Sequence, residues 1–365
     1  MNLVMRFQNP SGETVTFVPQ RFIPLTCQDF VTAHNNRTNL YEIKADAIEI
    51  EICAPNGEIK KEESGRFTMP IDFHRDLPVY ALVEGGWLPP SLVNPPAYLF
   101  DRNVIGYIQQ ISRGNPRELY ANADWWLQMI PDDRTHISPF LYAFESNRRT
   151  IPDLAEFKSS YEEAVEIIRS LFPNAKIIVY RDAHFEAAFE TMTDVLEFHA
   201  EETEFLKGVA PLIRENVSEN SLQSVCDEIL TMAADNGLSF RSLPLLASLS
   251  CLYEDPKVSG YNAARELLKL RGGPYTDERA YNVLSDMRGL MFYLAFQALA
   301  KQVGEEPLAY CTADKAALLF GCGLNFHNVE FRGNQLFLSI ELSEFLFPRL
   351  PSDQRRELAQ RIEAY

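Results

Sequence analysis

The sequence predicts an α/β domain with a central parallel sheet that carries acidic residues where its strands end. Two short apolar runs, residues 97–100 and 308–312, lead into Asp101 and Asp314, and a helical pattern follows each acid. In open α/β sheets, ligands bind beyond the carboxyl ends of the strands, so both acids are placed for chemistry. The alternative for Asp101 is that its carboxylate only caps the helix that follows it.

Composition restricts the class of protein. The chain has 365 residues, of which 46% are hydrophobic, so it is long enough for two or three domains of about 150 residues. The net charge of −17 argues against a broad basic surface for nucleic acid. It leaves room for an acidic site that gathers metal ions and meets phosphate through them. The six scattered cysteines lack zinc spacing, and no leader or membrane-spanning run is seen, which predicts a cytoplasmic protein without a membrane partner.

Residues 1–94 read as a β-rich accessory domain. Residues 3–7 and 14–18 flank a turn sequence, and residues 45–52 alternate apolar and acidic side chains as a half-buried strand does. A further strand is predicted at 79–83, before a proline-rich extended linker. No cluster of acids, histidines or cysteines with chemical spacing occurs in this region, which suggests a recognition role.

Residues 95–150 begin the α/β domain. The helical pattern after Asp101 runs to about residue 111, and a brief strand is predicted to end at residue 137. A second helix then begins with Ser138 as its N-cap and Pro139 at its first position. This spacing places Glu145 two turns into the helix, roughly on the face that starts at the strand end. A lone helical glutamate is more commonly solvated surface.

Residues 151–275 read as an acidic helical insertion with one short strand near 175–180. Lysine and arginine number 11 against 21 aspartates and glutamates over residues 150–275, a net charge of −10. Acids recur at helical spacing around His199, a pattern more typical of a solvated face than of a metal cluster. The charge favours a protein partner or a gate over a nucleic-acid surface.

Residues 276–350 complete the α/β domain, and residues 351–365 form a polar C-terminal helix. Asp286 lies in a long apolar helical pattern, where a carboxylate is costly unless it is paired or bound to a cation. Gly304 ends that helix, and the strand that follows leads through Thr312 to Asp314. Residues 329–331 and 336–340 read as a late hairpin.

Four carboxylates therefore stand out: Asp101, Glu145, Asp286 and Asp314. Clustered carboxylates repel one another unless cations lie among them. Mg²⁺ and Mn²⁺ prefer oxygen ligands, and two such ions about 4 Å apart stabilise the attacking and leaving oxygens of phosphodiester hydrolysis.

This arrangement resembles the PIN-like nuclease superfamily. The matching segments are residues 98–105, in which Asp101 is followed closely by Asn103, residues 138–145, the helix of Asp286, and residues 312–314. The resemblance covers residues 95–150 and 276–345, under half of the chain. It implies a three-layer α/β/α fold with a parallel sheet and metal-dependent cleavage, most often of RNA.

The resemblance also implies roles for individual residues. Asp101, Asp286 and Asp314 hold Mg²⁺ or Mn²⁺, and Glu145 shares metal binding and orientation of the water. Thr312, Arg102 and Arg148 are candidate contacts to the nucleic acid, although exposed arginines are commonly plain surface. Two features depart from the family: Arg102 replaces a small or hydroxyl residue, and Glu145 and Asp286 stand 141 residues apart.

The sequence is compatible with two classes of function. The first is a metal-dependent nuclease, with RNA preferred over DNA. The second is a catalytically inactive PIN-like binding or scaffold protein that acts through protein partners. Motifs of other enzyme classes, such as a Walker A loop, GxGxxG, HExxH and GxSxG, are absent from the sequence. The oligomeric state is not predicted.

Overall fold

The computed structural model of the chain describes residues 4–9, 11–73, 76–94, 96–145, 151–239, 242–305, 307–332 and 335–363. It shows a mixed α/β protein. The N-terminal elements are β1 (Met5–Gln8), β2 (Thr14–Ile23), α1 (Cys27–Asn35), β3 (Leu40–Cys53) and β4 (Ile59–Asp72). Their strands form an antiparallel sheet in chain order. Strand β3 contains the predicted strand 45–52 and begins earlier, at Leu40; every second residue from Tyr41 to Ala47 is buried, and the alternation breaks between Ala47 and Ile50.

The first half of the α/β region supplies strands and helices in alternation. Its elements are β5 (Tyr80–Val83), β6 (Gly86–Leu88), β7 (Ala97–Phe100), α2 (Arg102–Ser112), α3 (Glu118–Gln128), β8 (His136–Ser138), α4 (Phe140–Phe144), α5 (Leu154–Leu171) and β9 (Lys176–Ile177). Because β9 pairs with β8, the segment predicted as an insertion contributes one edge strand to this sheet.

The rest of the chain is largely helical. It comprises α6 (Asp182–Leu196), α7 (His199–Ile213), α8 (Leu222–Asp235), α9 (Leu243–Tyr253), α10 (Pro256–Ser259), α11 (Ala263–Leu267), α12 (Asp277–Val303), β10 (Ala309–Thr312), α13 (Lys315–Gly323), β11 (His327–Arg332), β12 (Gln335–Ser339) and α14 (Ser352–Glu363). Strands β11 and β12 pair antiparallel as the predicted late hairpin. Helix α7 packs against α12, and α11 packs against α13.

The central sheet is mixed, whereas the sequence predicts a parallel one. Its order is β6-β5-β10-β7-β8-β9, in which β10, β7, β8 and β9 run parallel and β5 runs antiparallel to β10. The turn Glu84–Gly85 joins β5 to β6 directly, and so short a connection permits only antiparallel pairing. The hairpin β5–β6 comes from the segment predicted as the accessory domain, yet it extends this sheet. The division into domains otherwise stays a prediction.

Helices cover both faces of the central sheet. Tyr98 and Phe100 of β7 pack with the buried side chains of α2 and α5. Leu99 and Tyr310 point to the other face and share a core with α12 and α13. This alternation follows from the two-residue period of a strand. Over the residues that the structure describes, no helix has the length and apolar character needed to cross a membrane.

Candidate functional site

The site is built where two parallel strands end side by side. Cys311 of β10 lies opposite Phe100 of β7, so Thr312 and Asp101 are the next residues on each strand. The backbone N–H of Asp101 donates to the carbonyl of Cys311 at 2.9 Å. The hydroxyl of Thr312 then donates to Asp101 Oδ2 at 2.6 Å. The two strand ends that the sequence singles out therefore meet at one edge of the sheet.

Asp101 is buried, with 6% of its surface exposed, and both of its oxygens hold hydrogen bonds. Oδ2 accepts from Thr312, from Asn103 Nδ2 at 2.7 Å and from the Tyr310 hydroxyl at 3.2 Å. Oδ1 accepts from the backbone N–H of Arg102 at 2.8 Å, which caps α2. Oδ1 of Asp101 therefore caps the helix, as the alternative interpretation predicted. Oδ2 is held by hydrogen bonds from three side chains, which fix the orientation of the carboxylate.

Asn103 joins the two strand ends a second time. Its Oδ1 accepts from the backbone N–H of Ala313 at 2.8 Å, while its Nδ2 reaches Asp101. The backbone N–H of Asp314 donates to Thr312 Oγ1 at 3.0 Å, and Asp314 Oδ1 caps α13. Sequence reasoning included Asn103 only as part of the resemblance, and it missed the positioning roles of Asn103 and Tyr310. The signal for Asn103 is its position two residues after a strand-end acid.

Glu145 follows a helix, whereas the sequence predicted it two turns inside one. Helix α4 has Pro139 as its N-cap and ends at Phe144, Ser138 belongs to β8, and Glu145 follows the helix with an extended backbone, φ −84° and ψ 99°. Every residue of this short helix, from Phe140 to Phe144, is buried.

Arg102 holds the end of α4. Its guanidinium donates to the backbone carbonyl of Glu145 and to that of Tyr142 at 3.4 Å, and it lies 4.7 Å from the centre of the Tyr142 ring. These carbonyls are among the groups that a helix end leaves without intrahelical partners. The candidate nucleic-acid contact Arg102 thus holds the end of α4 beside the start of α2. The other candidate, Arg148, lies outside the described residues.

Helix α12 brings Asp286 to the same edge. Gly289, one turn after Asp286, lies so close to β10 that a Cβ there would be 3.0 Å from the Tyr310 hydroxyl. Asp286 Oδ2 accepts from Lys269 Nζ at 2.6 Å. The sequence predicted that this carboxylate is paired or bound to a cation, and its partner in the structure is Lys269, which follows α11. Lys269 was missed because it follows a helix end, where no periodic pattern marks it.

Burial and mutual repulsion disturb the ionisation of these acids. Burial, followed by the charge of Asp314, raises the pKa of Asp101, against the hydrogen bond from Thr312. Burial and then the charges of Asp101 and Asp286 raise the pKa of Glu145 well above its ordinary value. Burial raises the pKa of Asp286 to about 7; Lys269 opposes this shift, and Asp314 and Asp101 add to it. Asp101 and Asp286 therefore lie within electrostatic reach of Asp314, and Glu145 lies within electrostatic reach of Asp101 and Asp286.

The donor set suits a hard divalent cation by its chemistry, because it consists of carboxylate oxygens. Within the described ranges, which include all four carboxylates, no three histidines, cysteines, aspartates or glutamates are placed together so that they could hold a metal ion. The ammonium of Lys269 supplies positive charge at Asp286.

The chain was compared with protein-family models, curated proteins and solved structures. No protein-family model, curated protein or solved structure matches the chain.

Proposed function

We propose that this protein is a metal-dependent nuclease that hydrolyses phosphodiester bonds, with RNA as its preferred substrate and Mg²⁺ or Mn²⁺ as its cofactor. The supporting observation is that the charge of Asp314 raises the pKa of Asp101 and Asp286, and that the charges of Asp101 and Asp286 raise the pKa of Glu145, although these residues come from distant parts of the chain. Neighbouring carboxylates repel one another when they are charged, and a divalent cation among them relieves that repulsion. The preference for RNA rests on the resemblance to PIN-like nucleases.

The proposed roles follow from the contacts. A bound divalent cation supplies an activated water and neutralises charge on the phosphate. Asp101 is held ready as a ligand by Thr312, Asn103 and Tyr310, so its position is fixed before metal arrives. Thr312 acts in this arrangement as a positioning residue, because its hydroxyl donates to Asp101. Glu145, whose pKa is raised, is suited to accept a proton from the attacking water at its carboxylate.

The second candidate is a catalytically inactive PIN-like protein that binds partners. Two contacts favour it: the ammonium of Lys269 pairs with Asp286, and the guanidinium of Arg102 donates to the carbonyls of Tyr142 and Glu145. In this account the cationic side chains balance the acids permanently. The acidic helices of residues 182–267 would then offer a surface to a protein partner.

A cleavage assay separates the two candidates. Wild-type protein is incubated with end-labelled single-stranded RNA or DNA, with Mn²⁺, with Mg²⁺ or with a chelator. We expect metal-dependent cleavage of RNA that Asp101→Asn reduces by about a hundredfold or more, since Asn keeps the size of the side chain but loses the charge. The matched control is Asp153→Asn, because Asp153 also caps a helix but lies on the exposed start of α5.

The outcomes are distinct. Wild type that cleaves neither nucleic acid with either metal supports the scaffold candidate. Cleavage that Asp101→Asn leaves at the wild-type rate removes Asp101 from the reaction and contradicts the proposed site.

A further inference from the structure

Two cysteines from opposite ends of the chain, Cys27 and Cys322, meet where α1 packs against α13. The Cys27 thiol, on the first residue of α1, donates to the backbone carbonyl of Leu319 on α13 at 3.6 Å. Helix carbonyls point toward the C-terminal end, so the carbonyl of Leu319 points toward the next turn, which carries Cys322. The contact with Leu319 therefore places the Cys27 sulfur beside Cys322.

The two thiols also interact with each other. A hydrogen bond with the Cys322 side chain is the largest of the effects that raise the pKa of the Cys27 thiol well above its ordinary value, and burial adds to it. The charge that Cys322 carries as a thiolate raises the pKa of Cys27 further. Cys27 therefore keeps its proton while its sulfur faces that of Cys322.

The backbone that carries each thiol is held in place by close contacts. Leu25, two residues before Cys27, donates its N–H to the Trp87 carbonyl at 2.8 Å and accepts from the Trp87 N–H at 2.9 Å. On α13, a Cβ added to Gly321 would lie 2.9 Å from side-chain atoms of β5 and of α12, so this helix lies tightly against both. The two sulfurs are therefore preorganised to react with each other.

Cys322 is the thiol that a small oxidant reaches first. It is partly exposed, whereas only 6% of the surface of Cys27 is exposed. Both residues line a cavity of about 690 Å³ between the start of α1, the end of α13 and residues 341–345. Oxidation of an accessible thiol gives a sulfenic acid, which condenses with a neighbouring thiol to form a disulfide. Cys27 is placed to be that neighbouring thiol.

We propose that Cys27 and Cys322 form a reversible disulfide when the protein meets a hydroperoxide. The Cys322 thiol loses its proton and attacks one peroxide oxygen, the O–O bond breaks, and the products are a sulfenic acid and an alcohol, or water when the oxidant is hydrogen peroxide. The Cys27 sulfur then attacks the sulfenic sulfur, the S–O bond breaks, and the Cys27 proton leaves with the hydroxide as water. The two sulfurs together lose two electrons, which the peroxide gains. A dithiol reductant reverses the reaction by thiol–disulfide exchange.

The disulfide makes the stability of the chain depend on oxidants. It encloses residues 27–322, and closing so long a loop restricts the unfolded chain more than the folded one. It also ties α1 to the end of α13, a helix whose start is capped by Asp314. The proposal goes beyond the proposed nuclease function and does not rest on it, because the reaction involves only the two thiols and the peroxide.

The test is peptide mapping by mass spectrometry of the full chain after treatment with hydrogen peroxide, with the remaining thiols blocked by N-ethylmaleimide in urea. We expect a cross-linked peptide pair that joins Cys27 to Cys322 and that dithiothreitol separates. In Cys27→Ser, Cys322 should stop at the sulfenic acid, which dimedone labels, because a serine hydroxyl does not condense with it. In Cys322→Ser, Cys27 should stay reduced, because it is buried and keeps its proton.

Cys53→Ser is the matched control. Cys53 is also partly exposed, but it lies on β3, where its thiol donates to the carbonyl of Ala54 at 3.7 Å. Its replacement should leave the yield and rate of the Cys27–Cys322 disulfide unchanged. Peroxide should also raise the midpoint of urea unfolding of wild type and of Cys53→Ser, but not that of Cys27→Ser.

Three results would overturn the proposal. Cys27 and Cys322 could both stay reduced in a large excess of peroxide, or Cys322 could pair with a cysteine other than Cys27. The Cys27–Cys322 disulfide could also form no faster in the folded protein than in urea, which would show that the fold does not bring the two thiols together.

Discussion

Asp286 illustrates how single residues set the properties of the carboxylate cluster. It lies on an apolar helix, so desolvation disfavours its charged form, and the nearby acids add to this effect. Lys269 is its direct counter-charge at 2.6 Å. The pKa of Asp286 is nevertheless raised to about 7, so burial and the nearby acids outweigh the lysine. Between about pH 4 and about pH 7, Asp286 therefore holds a proton that an unfolded aspartate would release.

This imbalance predicts a pH dependence of stability in the metal-free protein. The folded pKa of Asp286 is about 7, whereas an unfolded aspartate has a pKa of about 4. The folded state binds more protons between these values, so the free energy of unfolding falls as pH rises from about 4 to about 7. In Asp286→Asn that fall should be shallower. Urea unfolding with a chelator at about pH 5 and about pH 8 measures the change in the free energy of unfolding between the two pH values. An equal change in Asp286→Asn and in wild type would show that Asp286 is not the group responsible.

Lys269 and a divalent cation should compete for Asp286. Replacing Lys269 by Met removes the ammonium while keeping an unbranched apolar chain. We expect Lys269→Met to be less stable than wild type without metal, because the ammonium no longer offsets the repulsion among the acids. We also expect its affinity for Mn²⁺ to be about tenfold higher. Titration calorimetry with Mn²⁺ measures the affinity. Weaker Mn²⁺ binding in Lys269→Met would show that the lysine supports the metal site instead of competing for it.

At the scale of elements, the approach of α12 to β10 positions Asp286. Gly289 permits it, because a side chain there would meet the Tyr310 hydroxyl at 3.0 Å. Tyr310 is fully buried, and its hydroxyl is bound to Asp101, so it has little freedom to move aside. The same contact thus sets the helix position and the carboxylate network.

We predict that Gly289→Ala destabilises the protein by about 1–3 kcal/mol through overpacking. The loss should shrink when Tyr310→Phe removes the hydroxyl, which a double-mutant cycle of chemical unfolding measures. The control is Gly106→Ala on α2, where an added Cβ meets nothing within 4 Å and helix propensity should raise stability by about 0.5–1 kcal/mol. Gly289→Ala as stable as Gly106→Ala would show that α12 does not press on Tyr310.

At the scale of the whole molecule, local sequence patterns predicted most helices and strands, but they did not predict how all of the strands pair. The strand before Asp101, the long helix of Asp286 and the strand that ends at Thr312 lie where the apolar patterns predicted them. Glu145 was misplaced because α4 ends at Phe144, whereas the spacing in the sequence predicted a helix that continues through Glu145. The antiparallel hairpin β5–β6 was missed in the central sheet because its partner β10 lies more than two hundred residues later.

Long-range hydrogen bonds explain why the site itself could be only partly predicted. The strand-end acids and Thr312 carried a sequence signal, whereas the link from Asn103 to Ala313 spans 210 residues. The pairing of Lys269 with Asp286 depends on how the helices of residues 182–267 return to α12. Such contacts are set by tertiary packing, which hydrophobic period and turn chemistry do not specify.

We propose that four carboxylates from distant segments form one metal site. Anomalous diffraction at the manganese edge, from crystals soaked in Mn²⁺, tests it most directly. We predict one or two peaks bounded by Asp101, Glu145, Asp286 and Asp314, with Lys269 displaced from Asp286. Peaks that occur only elsewhere, such as among the acidic helices of residues 182–267, with Lys269 still bound to Asp286, would contradict the claim.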